Sequence, residues 1–427
     1  MTDDTDSGPA PVRPAQRVRP AWPAPIERVD VAIVGGGPAG AVVAARLARA
    51  GRQVVVLERA LAWQWRAGGV FASPAAVAAL RRSGLDPVTI AAVARSIPAM
   101  RVETPAGTTF RLTYGHETGG QTAVGFDRSR LDPALLELAG TAGADIRRGW
   151  HVTHLDLSDG DGDLTIRTAD GGVTRMRASV IVGADGPRSI VAREAGVARP
   201  VRLRPRIGLT YHLPDPDPSA CRDARMRILR DGYVGVAPVA GGRVNVGIVL
   251  GRSWRAALVR DGARAVADGI VHAIPPIDGD PATWRSGMPS DHVAGAWPLG
   301  LRVTRRAGPS WLLVGDAAGF LDPFTGEGLH RALVSAELAA AAILTLGRGR
   351  SGAFEAYARA MDRRFLAKDA VSWLVQTFLG RPAMFEYAAR RVALRDDVRA
   401  TMGLVMGDLV PASRALDPRY LLRLLAP

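Results

Sequence analysis

A single cysteine, Cys221, in 427 residues leaves no partner for an intrachain disulfide and no CxxC pair for metal or redox chemistry. Lysine is as scarce: of 55 basic residues only Lys368 is lysine, the rest being arginine. The net charge of +14 would suit a polyanionic partner. The arginines, however, are spread along the chain without a dense basic run, and alanine and glycine are abundant. That pattern is codon bias of a GC-rich genome, and no nucleic-acid partner is expected. No apolar run approaches the roughly 20 residues of a membrane span, and the most apolar helical stretch, around Leu333 to Leu346, is interrupted by Glu337. Met1 to Ala21 is acidic, then rich in proline and arginine, and lacks the apolar centre of a signal peptide. A cytoplasmic protein is expected. There is no metal-ligand spacing of His, Asp or Cys and no GxSxG elbow for acyl transfer.

What is present is glycine-punctuated α/β sequence. Residues 1–28 hold many Pro and Ala and read as a disordered tail. From Val29 the chain changes character. VDVAIVGG is a short buried strand, PAGAVVAARLARAG has helical periodicity, and QVVVLER is a second buried strand, together one βαβ unit. Helices are predicted at Ser73–Leu85, and at Leu131–Gly143 with Asp132 as cap. Strands follow at Arg101–Thr104, Thr108–Tyr114, His151–Asp156, Leu164–Thr168 and Val173–Arg177, with another in ASVIVG. RIGLTYHL, ARMRILR, GYVGVAP and RVNVGIVL alternate as an antiparallel sheet should, and helical segments dominate after Ser351.

Three segments carry chemistry. In the first, Gly35, Gly37 and Gly40, with Pro38 and Ala39 between the last two, form a GxGxxG turn between strand and helix. There a tight turn, a close approach to pyrophosphate and a helix N-terminus coincide. Glu58 ends the second strand 18 residues after Gly40, placed to accept hydrogen bonds from ribose hydroxyls, with Arg59 beside it. The second is GADGPRS, with Asp185 and Gly186. The third is GDAAGFLDPFTGEGLHRAL, in which Gly315 and Asp316 follow a buried strand, and Pro323, Gly326 and Gly328 precede a helix.

These three segments, in this order, resemble the FAD-binding segments of the flavoprotein superfamily that includes single-component aromatic hydroxylases, geranylgeranyl reductases and flavin-dependent halogenases. The resemblance spans about 300 residues. It implies a Rossmann-like, glutathione-reductase-like FAD domain with a three-segment site, an inserted antiparallel-sheet substrate domain and a helical C-terminus. The expected boundaries are 29–105, 120–200 and 290–347 for the FAD domain, 106–119 and 201–289 for the substrate domain, and 348–427 for the C-terminal helices. It further implies that Asp316 binds a ribityl hydroxyl, that the helix near Gly326–Gly328 points its N-terminus at the flavin pyrimidine edge, that Arg128 precedes a helix beside the flavin, and that Asp185 touches both FAD and a reduced nicotinamide. NADPH or NADH would bind transiently, since no second phosphate loop exists; a separate flavin reductase is the alternative.

Halogenation is disfavoured, because a lysine expected soon after the first βαβ unit is missing. Geranylgeranyl reductases are closer, but their cysteine before the paired glycines is Ala67 here, and the aromatics of their YxWxFP pattern are Gly235 and Ala237. The loss of both aromatics would enlarge or reshape the pocket beside the flavin. The leading expectation is therefore an FAD-dependent, NAD(P)H-driven monooxygenase. It would hydroxylate or epoxidise an apolar or phenolic secondary metabolite with O2, through a flavin C4a-hydroperoxide. A geranylgeranyl-reductase-like ene-reductase and a non-catalytic FAD-binding protein are the alternatives. Candidate catalytic residues are His330, Arg66 and Tyr211; Gly235, Ala237 and Tyr211 are candidate pocket residues. His116 is a candidate lid residue. The C-terminal segment Asp417–Pro427 mixes leucine with arginine and is a candidate for peripheral membrane contact.

Overall fold

The computed structural model describes residues 26–114, 122–157, 160–201, 206–274, 292–346 and 352–426. The first 25 residues and His116 lie outside them. The sequence-expected tail ends earlier than residue 28, because the opening strand starts at Glu27.

That strand, Glu27–Val34, occupies the centre of a seven-stranded sheet. Val54–Glu58 and then Asp145–Arg148 extend the sheet on one side, both parallel. Val173–Gly183 pairs in parallel on the other. All five residues of Val54–Glu58 are buried, which is why it reads as a continuous apolar run rather than an alternating one. The strands expected at Val173–Arg177 and in ASVIVG are one 11-residue strand. Its outer edge pairs first with Gly162–Arg167 in antiparallel fashion and then, past Ala178, with Trp311–Leu313 in parallel. This switch of partner brings Trp311–Leu313, and the glycine-rich segment that follows it, beside the opening strand's C-terminal end.

The helices Pro38–Arg49 and Gly328–Leu346 pack against each other in the same core. The second is, among the described residues, the one helix long and apolar enough to cross a membrane, and 67% of its apolar window is buried in the protein. Glu337 does not interrupt it: its carboxylate reaches Arg46 at 3.0 Å and Arg82 at 3.2 Å on neighbouring helices.

A second seven-stranded sheet is built from Ala294–Ala296, Ile207–Pro214, Arg243–Leu250, Gly232–Val239, Ala224–Leu229, Ala99–Glu103 and Thr109–Thr113, in that spatial order. Ala99–Glu103 pairs in parallel with Ala224–Leu229, so the substrate sheet begins ahead of the boundary expected at residue 105. Its outer face is covered by the helix Arg255–His272 through Leu209, Tyr211, Val234, Val236, Val246 and Ile270. The inner face turns toward the first domain. Four helices, Ala353–Leu379, Pro382–Leu394, Asp396–Met406 and Pro418–Leu425, close the chain.

One helix start differs from expectation. The helix spans Arg128–Thr141, not Leu131–Gly143, and its cap is Asp127, which accepts the Ser129 amide at 3.0 Å and the Ser129 hydroxyl at 2.5 Å. Asp132 therefore stands inside the helix, four residues from Arg128 on the same face.

Candidate dinucleotide site

The GxGxxG turn shows a separate steric reason at each glycine. Gly35 has φ of 104°, and a Cβ there would sit 2.5 Å from the Ala184 carbonyl oxygen. At Gly40 a Cβ would lie 2.1 Å from the Gly35 carbonyl oxygen, so the helix packs directly on the turn. Gly37 has nothing within 4 Å, leaving the helix N-terminus open on that side. Pro38 is the first helical residue, where its missing N–H is not needed, and Ala39 is buried behind it. Glu58 closes this end: its Oε2 accepts the Gly36 amide at 2.9 Å and its Oε1 the Ala60 amide at 2.9 Å and Arg66 Nη2 at 3.2 Å. Burial opposes charge on Glu58, yet the Ala60 and Gly36 amides and the Arg66 guanidinium hold its carboxyl below the usual range.

The third segment repeats this arrangement at the neighbouring helix. Gly315 has φ of 57°, donates its amide to Ser335 Oγ at 2.8 Å, and would place a Cβ 3.1 Å from the Ala39 Cβ of the first helix. The two glycine-rich segments are thus in van der Waals reach. Gly326, at φ of 66°, leaves room for the Phe71 ring, which a Cβ would meet at 2.5 Å. Gly328, the first residue of its helix, has nothing within 4 Å, as Gly37 has nothing at the other. Pro323 opens a single 3-10 turn capped by Asp322.

Asp316 lies just beyond the strand Trp311–Leu313. Burial pushes its carboxyl up to about 6, against the pull of Arg331 and Arg128. Asp185 accepts the Ile190 amide at 2.6 Å through Oδ2, while its Oδ1 is buried without a hydrogen-bond partner; burial again raises its carboxyl, against Ser189 and Ile190. Gly186 has φ of 79°, which lets the turn reverse after Asp185. Two open helix N-termini side by side, an orphaned carboxylate oxygen and an under-compensated aspartate form a cradle that an extended dinucleotide with hydroxyl donors would fill.

The arginines sort along this cradle. Arg128 clamps Asp132 through Nε at 2.6 Å and Nη2 at 2.8 Å, donates Nη1 to the Gly69 carbonyl at 2.9 Å, and bears electrostatically on Asp316. Arg66, expected at the flavin edge, is bonded instead to Glu58 at the opposite, ribose end, with half of its side chain exposed. Arg59 is exposed and bears on Asp185. His330 does not open on the cradle. It is 3% exposed, and its Nδ1 lies 3.1 Å from Asp408 Oδ2, because the third residue of the helix faces the C-terminal segment. Tyr211 is not in the pocket either. It is fully buried against the helix Arg255–His272, with Arg264 over its ring at 5.9 Å.

Strand alternation sends the next residue, His212, to the inner face, where its ring meets Trp65 at 4.3 Å between centroids, tilted by 51°. Trp65 Nε1 donates to the Thr210 carbonyl at 3.2 Å. On this inner face Gly235 pairs with Gly247, and Gly247 with Thr210, so two glycines adjoin across neighbouring strands. A Cβ on Gly235 would be in ordinary contact with the Met226 methyl at 3.6 Å and with the Arg225 and Gly247 carbonyl oxygens at 3.9 Å. Ala237 lies in the cluster of Trp65, Val70, Ile97, Tyr114 and Val239. Sequence reasoning missed Trp65. Its signal was the pair Trp63 and Trp65 in a loop otherwise unsuited to large aromatics.

A model of the FAD-binding domain matches residues 28–373, which takes in all three glycine-rich segments and the sheet between them. The chain belongs to this FAD-binding family. The residues present fit FAD: an acidic strand end at Glu58, two helix N-termini open at Gly37 and Gly328, and a buried carboxyl at Asp316. Menaquinone reductase of Mycolicibacterium smegmatis is 29% identical over 403 residues, covering 90% of this chain and 92% of that one. Digeranylgeranylglycerophospholipid reductase of Methanoculleus marisnigri is 30% identical over 328 residues, covering 73% and 75%. Among solved structures, a geranylgeranyl bacteriochlorophyll reductase-like protein of Thermoplasma acidophilum superposes with a TM-score of 0.72 at 21% identity, covering 94% of this chain and 96% of that one. The chain is an FAD-dependent oxidoreductase.

Proposed function

We propose that this oxidoreductase reduces carbon–carbon double bonds in a long isoprenoid chain, with NADPH or NADH as the transient reductant. The observation that carries this reading is the inner floor of the second sheet. Gly235 and Gly247 leave a side-chain-free strip beside Met226, and Trp65, Val70, Tyr114 and Ala237 form an apolar cluster along it. Such a strip admits a linear apolar chain and offers it few hydrogen bonds. Relatives over most of the chain's length are named as reductases of menaquinone and of digeranylgeranylglycerophospholipid, both prenyl-chain lipids.

FAD, when bound, would carry a hydride from the nicotinamide to one alkene carbon, the other carbon taking up a proton. The chain's own residues bind and orient. Glu58 and the Gly36–Pro38 turn hold the adenosine end, Asp316 accepts from the ribityl chain, and the apolar cluster around Trp65 excludes water from the reacting carbons.

A lipid substrate is met at a membrane surface. The helices Pro382–Leu394 and Pro418–Leu425 expose Met384, Tyr387, Leu394, Leu422 and Leu425, at 40% to 76%. Tyr387 donates to the Leu425 carbonyl at 2.7 Å and Arg395 to the Ala426 carbonyl at 3.4 Å, which holds the two helices together. Arg391, Arg419 and Arg423 border this face, an arrangement suited to anionic headgroups.

Oxygen insertion is the second reading, because Gly235 and Ala237 stand where the geranylgeranyl reductase pattern has aromatic residues. Incubation under argon with NADPH and a prenylated lipid separates the two. A product heavier by two hydrogens per double bond supports reduction, whereas product formed only in air, heavier by one oxygen, overturns it.

A further inference from the structure

The chain's only lysine is buried. Lys368 is 4% exposed in the long helix Ala353–Leu379, and its Nζ donates to Asp408 Oδ1 at 2.8 Å and to the Val405 carbonyl at 2.8 Å. It also lies 3.7 Å from Glu327 Oε2. Glu327 precedes the first residue of the helix Gly328–Leu346 and caps it through its carbonyl, which accepts the Arg331 amide at 2.9 Å. Its Oε1 accepts Arg331 Nη2 at 3.1 Å, but its Oε2 is buried with no hydrogen bond.

Asp408 gathers three elements at one carboxylate. Besides Lys368, it takes the hydroxyl of Ser73 at 2.8 Å and stands 3.1 Å from His330 Nδ1. Ser73 in turn caps the helix Pro74–Ser83. Asp408 holds this place with φ of 58°, the only non-glycine positive φ among the described residues, a conformation that persists only where surrounding contacts impose it. Burial opposes its charge, yet His330 and Lys368 hold its carboxyl well below the usual range.

The consequence lies at the helix N-terminus. Reduced flavin carries negative charge at its pyrimidine edge, and a helix N-terminus there offers it roughly half a positive charge. A carboxylate at the same point cancels that offer. Glu327 is such a carboxylate: Arg331 pairs with its Oε1 at 3.1 Å, and its other oxygen, Oε2, lies 3.7 Å from Lys368. An arginine fork is planar and wide, whereas the ammonium here donates to a backbone carbonyl and a carboxylate beside a second carboxylate within one buried space.

We propose that Lys368 is a positioning residue for the flavin: it neutralises Glu327 and, through Asp408, fixes the helix that begins at Gly328, keeping that N-terminus available to the reduced cofactor. The inference rests on FAD lying across Gly328, and concerns the chain's preference for the reduced over the oxidised cofactor.

The test is the midpoint potential of bound FAD in the full chain, measured against redox dyes, with the Kd of oxidised FAD as companion. Lys368→Met lowers the potential, weakening reduced FAD relative to oxidised by about tenfold. Glu327→Gln raises it, and the double variant returns close to wild type. Where Lys368→Met alone does not fold, the rise in Glu327→Gln and the near-wild-type potential of the charge-balanced double variant carry the test. Unchanged potentials in flavin-loaded variants, or shifts of the same sign in Lys368→Met and Glu327→Gln, overturn the proposal. Gly328→Val tests the underlying reading separately: if this variant keeps FAD with wild-type affinity and potential, FAD does not lie across that N-terminus.

Discussion

Two kinds of glycine do opposite work in this molecule. At Gly35 and Gly40 of the FAD domain it lets backbone touch backbone: a Cβ there would sit 2.5 or 2.1 Å from a carbonyl oxygen. On the floor of the second sheet a Cβ on Gly235 would find open space up to 3.6 Å. The first kind of glycine is imposed by the fold and the cofactor together. The second is a choice of pocket shape that the fold would let a larger residue overrule. A fold's cofactor site and its substrate site therefore respond to the same substitution in different currencies, stability in one and selectivity in the other.

The largest expected effect breaks the first half. Gly40→Val drives its side chain into the Gly35 carbonyl, and overpacking of this kind costs about 1–3 kcal/mol or more. Protein that purifies should carry almost no flavin by its visible absorbance. Glu58→Ala removes an acceptor that orders the Gly36 and Ala60 amides and the ribose; a charged hydrogen bond contributes about 1.5–3 kcal/mol, so the Kd for FAD should rise by about 10- to 100-fold in a titration.

Asp316 gives a smaller, pH-dependent effect. Its carboxyl titrates at about 6 when folded, above its ordinary value of 3.8, so the FAD-free native state holds a proton that the unfolded chain has released. Its contribution to stability is full below about pH 4 and is lost as pH rises to about 6, by up to about 3 kcal/mol. Urea midpoints of flavin-free wild type and Asp316→Asn, compared at pH 4.5 and 7, should show wild type losing more than the variant.

The substrate half answers next. Gly235→Ala should leave Tm and FAD affinity within about 0.5 kcal/mol of wild type, as a substitution with room does, while changing the KM for a prenyl-chain substrate. Smallest of all, Tyr211→Phe should alter turnover by less than about twofold, because this ring packs under the helix Arg255–His272, on the face away from the floor.

The same contrast decides what could be read from the sequence. Glycines at fixed spacing made the turn of Gly35, Gly37 and Gly40 and the Gly315–Gly328 segment legible, as was Glu58 at its strand end. The alternation in RIGLTYHL showed that Tyr211 and His212 face opposite sides but not which side was inner, since both faces of that strand are covered. Arg66 and His330 were misplaced for a common reason. Their positions in the chain put them near the cofactor, but their side chains follow other partners: Glu58, eight residues back, for Arg66, and the distant Asp408 for His330. The bonds that join Ser73, Glu327, Lys368 and Asp408 span up to 335 residues, beyond any local pattern. The start of the helix at Arg128 was missed because Asp127 and Asp132 are both good caps, and only the Ser129 contacts choose between them.

Central to this account is that two glycine-rich segments, far apart in sequence, hold one FAD. Counting flavin per chain in wild type, Gly40→Val and Asp316→Leu tests that directly. One FAD per chain in wild type, falling toward none in either variant, is the expected result. Two per chain, or the loss of only half in each variant, would contradict it.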